Sequence, residues 1–490
     1  MYMKIKLQKS PDIKLVVTAA LKKEVPGDWF VTHGIPVHTI EALKSGAIKQ
    51  QSFSSGILIV ITGPGPDANE DAARWIRDHV GPLFVVNIGT CGLLKREYPV
   101  ARWIRPRYSA NEGGDTLKLD MRLPFPFEED AVEVHSLLSV GKTCNGAFPD
   151  AWKRHDAIDM ECYSQAKIFS ECGISFHCLK FSTDFSDGNM LSDFNANLAL
   201  FARKLTGLFS FTEDNPSRIT AVIPVHNRQQ TIGRAIDSVL SQSHRPDEII
   251  VVDDCSDDKT KDVLRSYYEK ITPVFLSRNS GPSPARNEGV KRAKTEWVAF
   301  LDSDDCWEKD KLKDQVEYLG KYPFYRILQS EEVWIRNGAR VNPCRHHKKP
   351  EGWIWEKSLE RCLVSPSGVL VRKSLLEQYG LFDEGLSVCE DYDLWLKISR
   401  RHPVGLEPSF SVIKYGGHSD QLSRRYPAMD RFRVRSLMRL LEQEPDGHYR
   451  EKIIRVLAKK LTILINGYEK RGKRNEAEEC RGMLESLRKM

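Results

Sequence analysis

The apolar run Trp297-Val298-Ala299-Phe300-Leu301 leads straight into Asp302-Ser303-Asp304-Asp305-Cys306-Trp307. A short continuous apolar run predicts a strand covered on both faces. A buried strand that ends in three carboxylates has like charges to separate, and oxygen-ligated Mg²⁺ or Mn²⁺ bound to a diphosphate is the usual way to neutralise such a cluster. The segment therefore predicts a site for a divalent cation and a phosphorylated ligand.

At 490 residues and 56.0 kDa the chain is too long for one core, and length alone predicts about two to four domains. A composition of 41% hydrophobic and 29% charged residues is that of a folded soluble protein. No apolar run approaches the roughly 18–20 residues that span a bilayer, and Met1-Tyr2-Met3-Lys4-Ile5-Lys6 leads into no signal-peptide core. Neither secretion nor membrane spanning is expected. The 11 cysteines, scattered from Cys91 to Cys480 without CxxC spacing, argue against a disulfide framework or a zinc ribbon. His346-His347 beside Cys344 has no second ligand pair nearby and reads as a solvated loop. The expected location is a reducing cytoplasm. Residues 424–490 hold 18 Lys and Arg against 10 Asp and Glu, which describes a solvated helical face or a surface for peripheral contact with an anionic membrane or acidic acceptor. Nothing in the charge pattern points to nucleic acid, and a homo-oligomer is left open.

Two α/β patterns follow one another. From Lys14 to about Leu208, the runs 15–17, 56–61 and 83–88 predict strands buried on both faces. The polar stretch 209–217 predicts a linker. Beyond it, Ile219-Thr220-Ala221-Val222-Ile223 predicts a strand, Ile232, Ile236, Val239 and Leu240 mark one face of a helix, and Glu248-Ile249-Ile250-Val251-Val252 predicts a second strand. This is a right-handed βαβ unit, and ligands of such units sit beyond the carboxyl ends of the strands. Past about Tyr415 the pattern turns helical, with Ile454, Leu457, Leu461 and Leu464 on one face. The expected organisation is residues 11–210, residues 218–423 and a basic helical tail, 424–490.

Five ordered motifs lie in the second pattern: Val222-Ile223-Pro224-Val225-His226-Asn227, Val251-Val252-Asp253-Asp254-Cys255-Ser256, the segment 279–287 ending in Ala285-Arg286-Asn287, Asp302-Ser303-Asp304-Asp305, and Glu390-Asp391-Tyr392-Asp393-Leu394-Trp395. In this order they resemble the family 2 glycosyltransferases, whose nucleotide-diphosphosugar-binding fold is called GT-A. The resemblance implies that Asp254 hydrogen-bonds the donor's base in a pocket formed around Pro224. It implies that Asp304 ligates Mn²⁺ or Mg²⁺, and that Asp302 holds the ribose or a metal-bound water. Asp391 matches the base that deprotonates the acceptor hydroxyl, Glu390 an acceptor-binding or orienting residue, and His418 a late segment that closes over the donor diphosphate at the metal. Arg286 fits equally a diphosphate contact or a helix salt bridge. The implied partners are a nucleotide-diphosphosugar, with UDP-sugars favoured, and a saccharide or lipid-linked acceptor.

The first pattern carries Ala19-Ala20-Leu21-Lys22-Lys23-Glu24, Thr62-Gly63-Pro64-Gly65, Val86-Asn87-Ile88-Gly89-Thr90-Cys91-Gly92, Ile158-Asp159-Met160-Glu161 and Phe181-Ser182-Thr183-Asp184. These pieces resemble the nucleoside phosphorylase family, especially its hydrolytic branch, the methylthioadenosine/adenosylhomocysteine nucleosidases. The resemblance assigns Asp184 to the purine, Glu161 and Met160 to the ribose, and Glu24 to the attacking water, with Thr90, Gly92 and Phe148 in a nucleoside pocket. Pro64 and Pro66 remove amide donors that would cradle phosphate, which favours hydrolysis over phosphorolysis. Three readings compete: a bifunctional glycosyltransferase and nucleosidase, a glycosyltransferase with a non-catalytic nucleoside-binding domain, and a non-catalytic sugar-nucleotide scaffold. Intact Asp304 and Asp391 speak against the third, because a scaffold needs no base.

Overall fold

A computed structural model describes residues 13–45, 56–125, 127, 131–141, 149–185, 190–213, 216–336, 338–341, 348–416, 426 and 428–489. The chain divides into two compact units, residues 1–214 together with Gly320–Phe324, and residues 215–319 together with 325–490.

In the first unit, β1 (Leu15–Ala19), β2 (Val37–Thr39), β3 (Ile57–Ile61) and β4 (Phe84–Leu93) lie parallel in the order β2-β3-β1-β4. Every residue of β1 and β3 is buried, as unbroken Val and Ile runs require when both faces of a sheet are covered. Strand β4 is ten residues long, so it outruns β1 and enters a second arrangement. This is built with β5 (Trp103–Asn111), β6 (Thr116–Lys118), β7 (Ala131–Ser139), β8 (Ala157–Asp159) and β9 (Ser175–Asp184). Strand β4 pairs with β8 and β9, β8 with β7, β7 with β5, and β5 with β9. The ring closes on itself, which removes exposed edges and gathers the ends of β4, β8 and β9. The expected linker 209–217 is partly wrong. Phe209 and Phe211 are buried and pack on Phe125, Phe209 just before and Phe211 within a short 3₁₀ turn, Ser210–Glu213. Two large apolar rings outweigh the polarity of the residues around them.

Among the described residues the second unit is built on a nine-stranded mixed sheet. Strands β10 (Ile219–Val225), β11 (Glu248–Asp253), β12 (Thr272–Phe275) and β13 (Trp297–Phe300) are parallel, in the order β12-β11-β10-β13. The sheet continues antiparallel from β13 into β17 (Val369–Arg372), after β14 (Cys306–Trp307), β15 (Ile327–Arg336) and β16 (Ala339–Val341) in the chain, and ends with β15, β18 (Gly405–Gly416) and β14. Three helices close the chain: Asp430–Gln443, Gly447–Glu469 and Arg474–Arg488. They belong to this same compact unit. Leu457, Leu461 and Leu464 share one core with Trp355, Leu359, Tyr392 and Leu396, each buried leucine contributing about 1.5–3 kcal/mol. The expected basic tail is thus a set of helices packed through their apolar faces on the segments that carry Trp355 and Tyr392.

Helix α1 (Pro282–Arg292) crosses β10 at Gly289, where an added Cβ would lie 2.3 Å from Val222 Cγ1. Only glycine allows this approach, because β10 is the central parallel strand and cannot retreat. Gly289→Ala is expected to lower the stability of the second unit by about 1–3 kcal/mol through overpacking, read from its denaturant unfolding midpoint; an unchanged midpoint would contradict the packing described.

Candidate active sites

Strand β10 accommodates a proline although it is central. The Val222 carbonyl accepts from Leu301 N toward β13, whereas the Val225 carbonyl accepts from Asp254 N toward β11. Pro224 is in phase with Val222, so its missing N–H falls toward β13 beyond the last β13 pair, Val222 with Phe300. The sheet parts here, and the carboxyl ends of β10, β11 and β13 surround the opening. Non-glycine residues with positive φ, Asn227 (51°) and Cys255 (56°), turn the chain sharply after β10 and β11. Asp254 is buried, and its two oxygens accept from Ser280 N at 2.8 Å and Gly281 N at 2.7 Å. It clamps the loop that leads into α1.

That helix carries Arg286 into the floor of the opening. Its Nη2 donates to Asp302 Oδ1 at 2.8 Å and its Nη1 to Glu390 Oε1 at 2.6 Å. Of the two roles expected of it, Arg286 shows the salt bridge made from a helix. It is a buried bridge between two acidic motifs. Asp302 also faces Lys414 Nζ at 3.8 Å; burial works against its charge, and the two cations overcome burial and hold its carboxyl below the ordinary value. Asp305 accepts from Ser367 Oγ at 2.6 Å and Tyr415 N at 3.2 Å and lies 3.4 Å from Lys414 Nζ. Burial nevertheless pushes its carboxyl up to about 7. Burial, with Asp302 beside it, also raises Asp304. Among the described residues Asp304 makes no ion pair, and no group of three metal-ligating side chains occurs.

Glu390 opens α2 (Glu390–Ser399), and the residue before it, Cys389, sits at φ 63° without a side-chain cap. A left-handed non-glycine residue costs roughly 1–3 kcal/mol and marks a fixed turn. The turn buries Glu390 against Arg286 and leaves Asp391 half-buried. Asp391 Oδ1 accepts from Tyr392 N at 2.7 Å, and Oδ2 accepts from the Cys362 thiol at 3.5 Å.

In the first unit, β4 and β9 slip register between Cys91 and Gly92, which sets Asp184 opposite Gly92; irregular pairing of this kind re-aims a side chain at a barrel rim. Thr183 Oγ1 donates to Asp184 Oδ2 at 2.7 Å. Glu24 is buried, and its carboxylate accepts from Leu21 N at 3.0 Å, Thr90 N at 3.2 Å and Thr90 Oγ1 at 2.7 Å. Lys180 is buried on β9 and lies 3.0 Å from both Asp159 and Glu161. An added Cβ at Gly89 would meet both Lys180 Nζ and Glu24, so these charged groups share one pocket. Met160, beside them in the chain, is half-buried. Cys91 is also buried here, which raises its thiol and leaves it inert. Asn69 Nδ2 donates to the Gly63 and Gly65 carbonyls at 2.9 and 2.8 Å, which fixes the proline-bearing loop.

The structure thus gathers Glu24, Thr90, Gly92, Glu161 and Asp184 at one end of the ring of strands. It joins Arg286, Asp302 and Glu390 by direct contacts. Phe148, His418, Cys344, His346 and His347 lie outside the described residues. Sequence reasoning missed Lys180, Lys414 and Ser367. The two lysines had a signal: each is a charge set within a short apolar run, Cys178-Leu179-Lys180-Phe181 and Val412-Ile413-Lys414-Tyr415. Burial raises the Glu161 carboxyl from 4.5 to about 7 although Lys180 opposes the shift. A carboxyl raised by folding contributes stability that is full below about pH 4.5 and lost as pH climbs to about 7. Glu161→Gln should flatten this part of the first unit's thermal stability profile against pH; a profile with the same fall in the variant would contradict the assignment.

A family model, glycosyl transferase family 2, matches residues 220–379. The chain is 31% identical over 186 residues to the "Putative teichuronic acid biosynthesis glycosyltransferase TuaG" of Bacillus subtilis (strain 168), covering 37% of this chain and 72% of that one. The structure of S. aureus TarS 1-349 in complex with UDP-GlcNAc aligns with TM-score 0.41 at 20% identity, covering 56% of this chain and 92% of the other. A 5'-methylthioadenosine/S-adenosylhomocysteine nucleosidase from Neisseria meningitidis aligns with TM-score 0.30 at 17% identity, over 39% of this chain and 96% of the other. With the strand-end motifs of the second unit, the sequence match over that unit shows that the chain belongs to glycosyltransferase family 2.

Proposed function

We propose that the second unit transfers a sugar, with inversion, from a nucleotide-diphosphosugar to an acceptor hydroxyl, using Asp391 as base and a divalent cation at Asp304. The observation that carries this reading is the Arg286 bridge, which ties the strand-end acids of the donor side to the helix that presents Asp391. Asp391 suits the base because it is half-buried and pairs with no cation among the described residues, whereas Glu390 is buried and held by Arg286. Its carboxylate takes the acceptor proton while the acceptor oxygen forms the new glycosidic bond and the bond to the diphosphate breaks. Glu390 and Arg286 orient the start of α2 during this step.

The residues fit a cation of modest protein ligation. Asp302 is committed to Arg286, so Asp304 is the available carboxylate, and Mg²⁺ or Mn²⁺ is commonly held by one or two carboxylates together with substrate phosphates. Bound there, the ion would stabilise the charge that develops on the departing diphosphate. No helix among the described residues is long and apolar enough to cross a membrane. Nucleoside diphosphate release from UDP-, GDP- and dTDP-sugars, assayed with an acceptor extract and with or without Mn²⁺, should identify one donor class. Asp304→Ala and Asp391→Asn should each lower turnover by about 10²-fold or more; full activity in either variant would remove that residue's role.

For the first unit the reading is hydrolysis of a purine nucleoside N-glycosidic bond. Asp184 would protonate or hydrogen-bond the leaving base, Glu161 and Met160 would hold the ribose, and Glu24 would orient water. A second reading is favoured by one feature: three donors from the chain already occupy the Glu24 carboxylate, as they would in a binding module that cleaves nothing. Incubation with methylthioadenosine and adenosine separates the two. Purine release abolished by Asp184→Asn supports hydrolysis, and saturable binding without release supports the module.

A further inference from the structure

We propose that Lys414 is a positioning residue that keeps the divalent cation out of the free transferase site, so that the ion enters only together with the nucleoside diphosphate. The inference rests on the metal-dependent reading of the second unit.

Lys414 lies on β18, with its side chain only 14% exposed. Its ammonium donates to Ser365 Oγ at 2.9 Å and faces Asp305 at 3.4 Å and Asp302 at 3.8 Å. The next residue supports the same arrangement, since Tyr415 N donates to Asp305 Oδ1. Ser367 completes it, because its hydroxyl donates to Asp305 Oδ2 and accepts from Asp302 N. Of the three acids that follow β13, two are thus neutralised from inside the protein: Asp302 by Arg286 and Lys414, and Asp305 by Lys414. Only Asp304 is without an ion pair among the described residues.

A divalent ion approaching the site without a nucleotide would meet one carboxylate that makes no ion pair among the described residues, with Arg228 and Lys414 both acting on it as cations. Repulsion from the ammonium and the small number of oxygen ligands both oppose binding. A diphosphate supplies the missing oxygens and reverses the sign of the local field. Lys414 therefore holds two acids in place without a metal and makes metal binding conditional on the donor.

The test is equilibrium dialysis of Mn²⁺ against the intact chain, with and without UDP, using Asp304→Asn as the reference for ion held elsewhere. The wild-type chain should retain no more Mn²⁺ than Asp304→Asn when UDP is absent, and bind at least about tenfold more tightly when UDP is present. Lys414→Met should gain a UDP-independent, Asp304-dependent site, and Lys414→Arg should behave as wild type. Equal wild-type affinity with and without UDP overturns the proposal, as does a folded Lys414→Met that gains no site; if that variant does not fold, the wild-type comparison decides. Calorimetry with UDP, GDP and dTDP separates the failures, the dialysis being run with whichever of them binds: binding of none of the three under any condition overturns the transferase reading and this proposal together, whereas nucleotide binding with an unconditional metal site overturns this proposal alone.

Discussion

The guanidinium of Arg286 is the interaction on which the transferase unit depends. It is buried, and a buried cation is tolerated only when its partners are close, well aligned and equally fixed. Its two partners lie far apart in the chain: Asp302 follows the end of a parallel strand, and Glu390 begins a helix 104 residues beyond Arg286. Glu390 could not be buried alone, and Asp302 is half-buried beside the same guanidinium. The bridge therefore requires that α1, β13 and α2 come together before any of the three charges is satisfied, and the opening at the carboxyl ends of the sheet forms around it.

The two units solve the same electrostatic problem in the same way. Each brings several carboxylates to one end of a sheet, and each sets a buried lysine from an apolar strand between two of them. Lys180 serves Asp159 and Glu161, and Lys414 serves Asp302 and Asp305. A lysine on a strand is held by the ladder on both sides, so it acts as a fixed counter-charge rather than a mobile one. In the second unit Asp304 and Asp391, which pair with no cation among the described residues, are the acids to which chemistry is assigned.

Much of this was legible in the sequence because strands buried on both faces write unbroken apolar runs. β1, β3, β10, β11 and β13 appear there almost residue for residue, and the acids after β11 and β13 mark the carboxyl edge of the sheet. The bridge was not legible, since nothing local distinguishes an arginine that reaches a diphosphate from one that reaches Asp302 and Glu390. Lys414 was hidden for the same reason: Asp305, its partner, lies more than a hundred residues earlier in the chain. The polar stretch 209–217 misled in the other direction, because the periodicity of its neighbours says nothing about where Phe209 and Phe211 find their ring partners.

The bridge is tested most directly by a double-mutant cycle between Asp302→Asn and Glu390→Gln, measured as the unfolding free energy of the second unit in denaturant. If both acids act through one buried guanidinium, their effects are coupled by about 0.5–3 kcal/mol beyond the sum of the single changes. Effects that add to within about 0.5 kcal/mol would show two independent acids and would contradict the account.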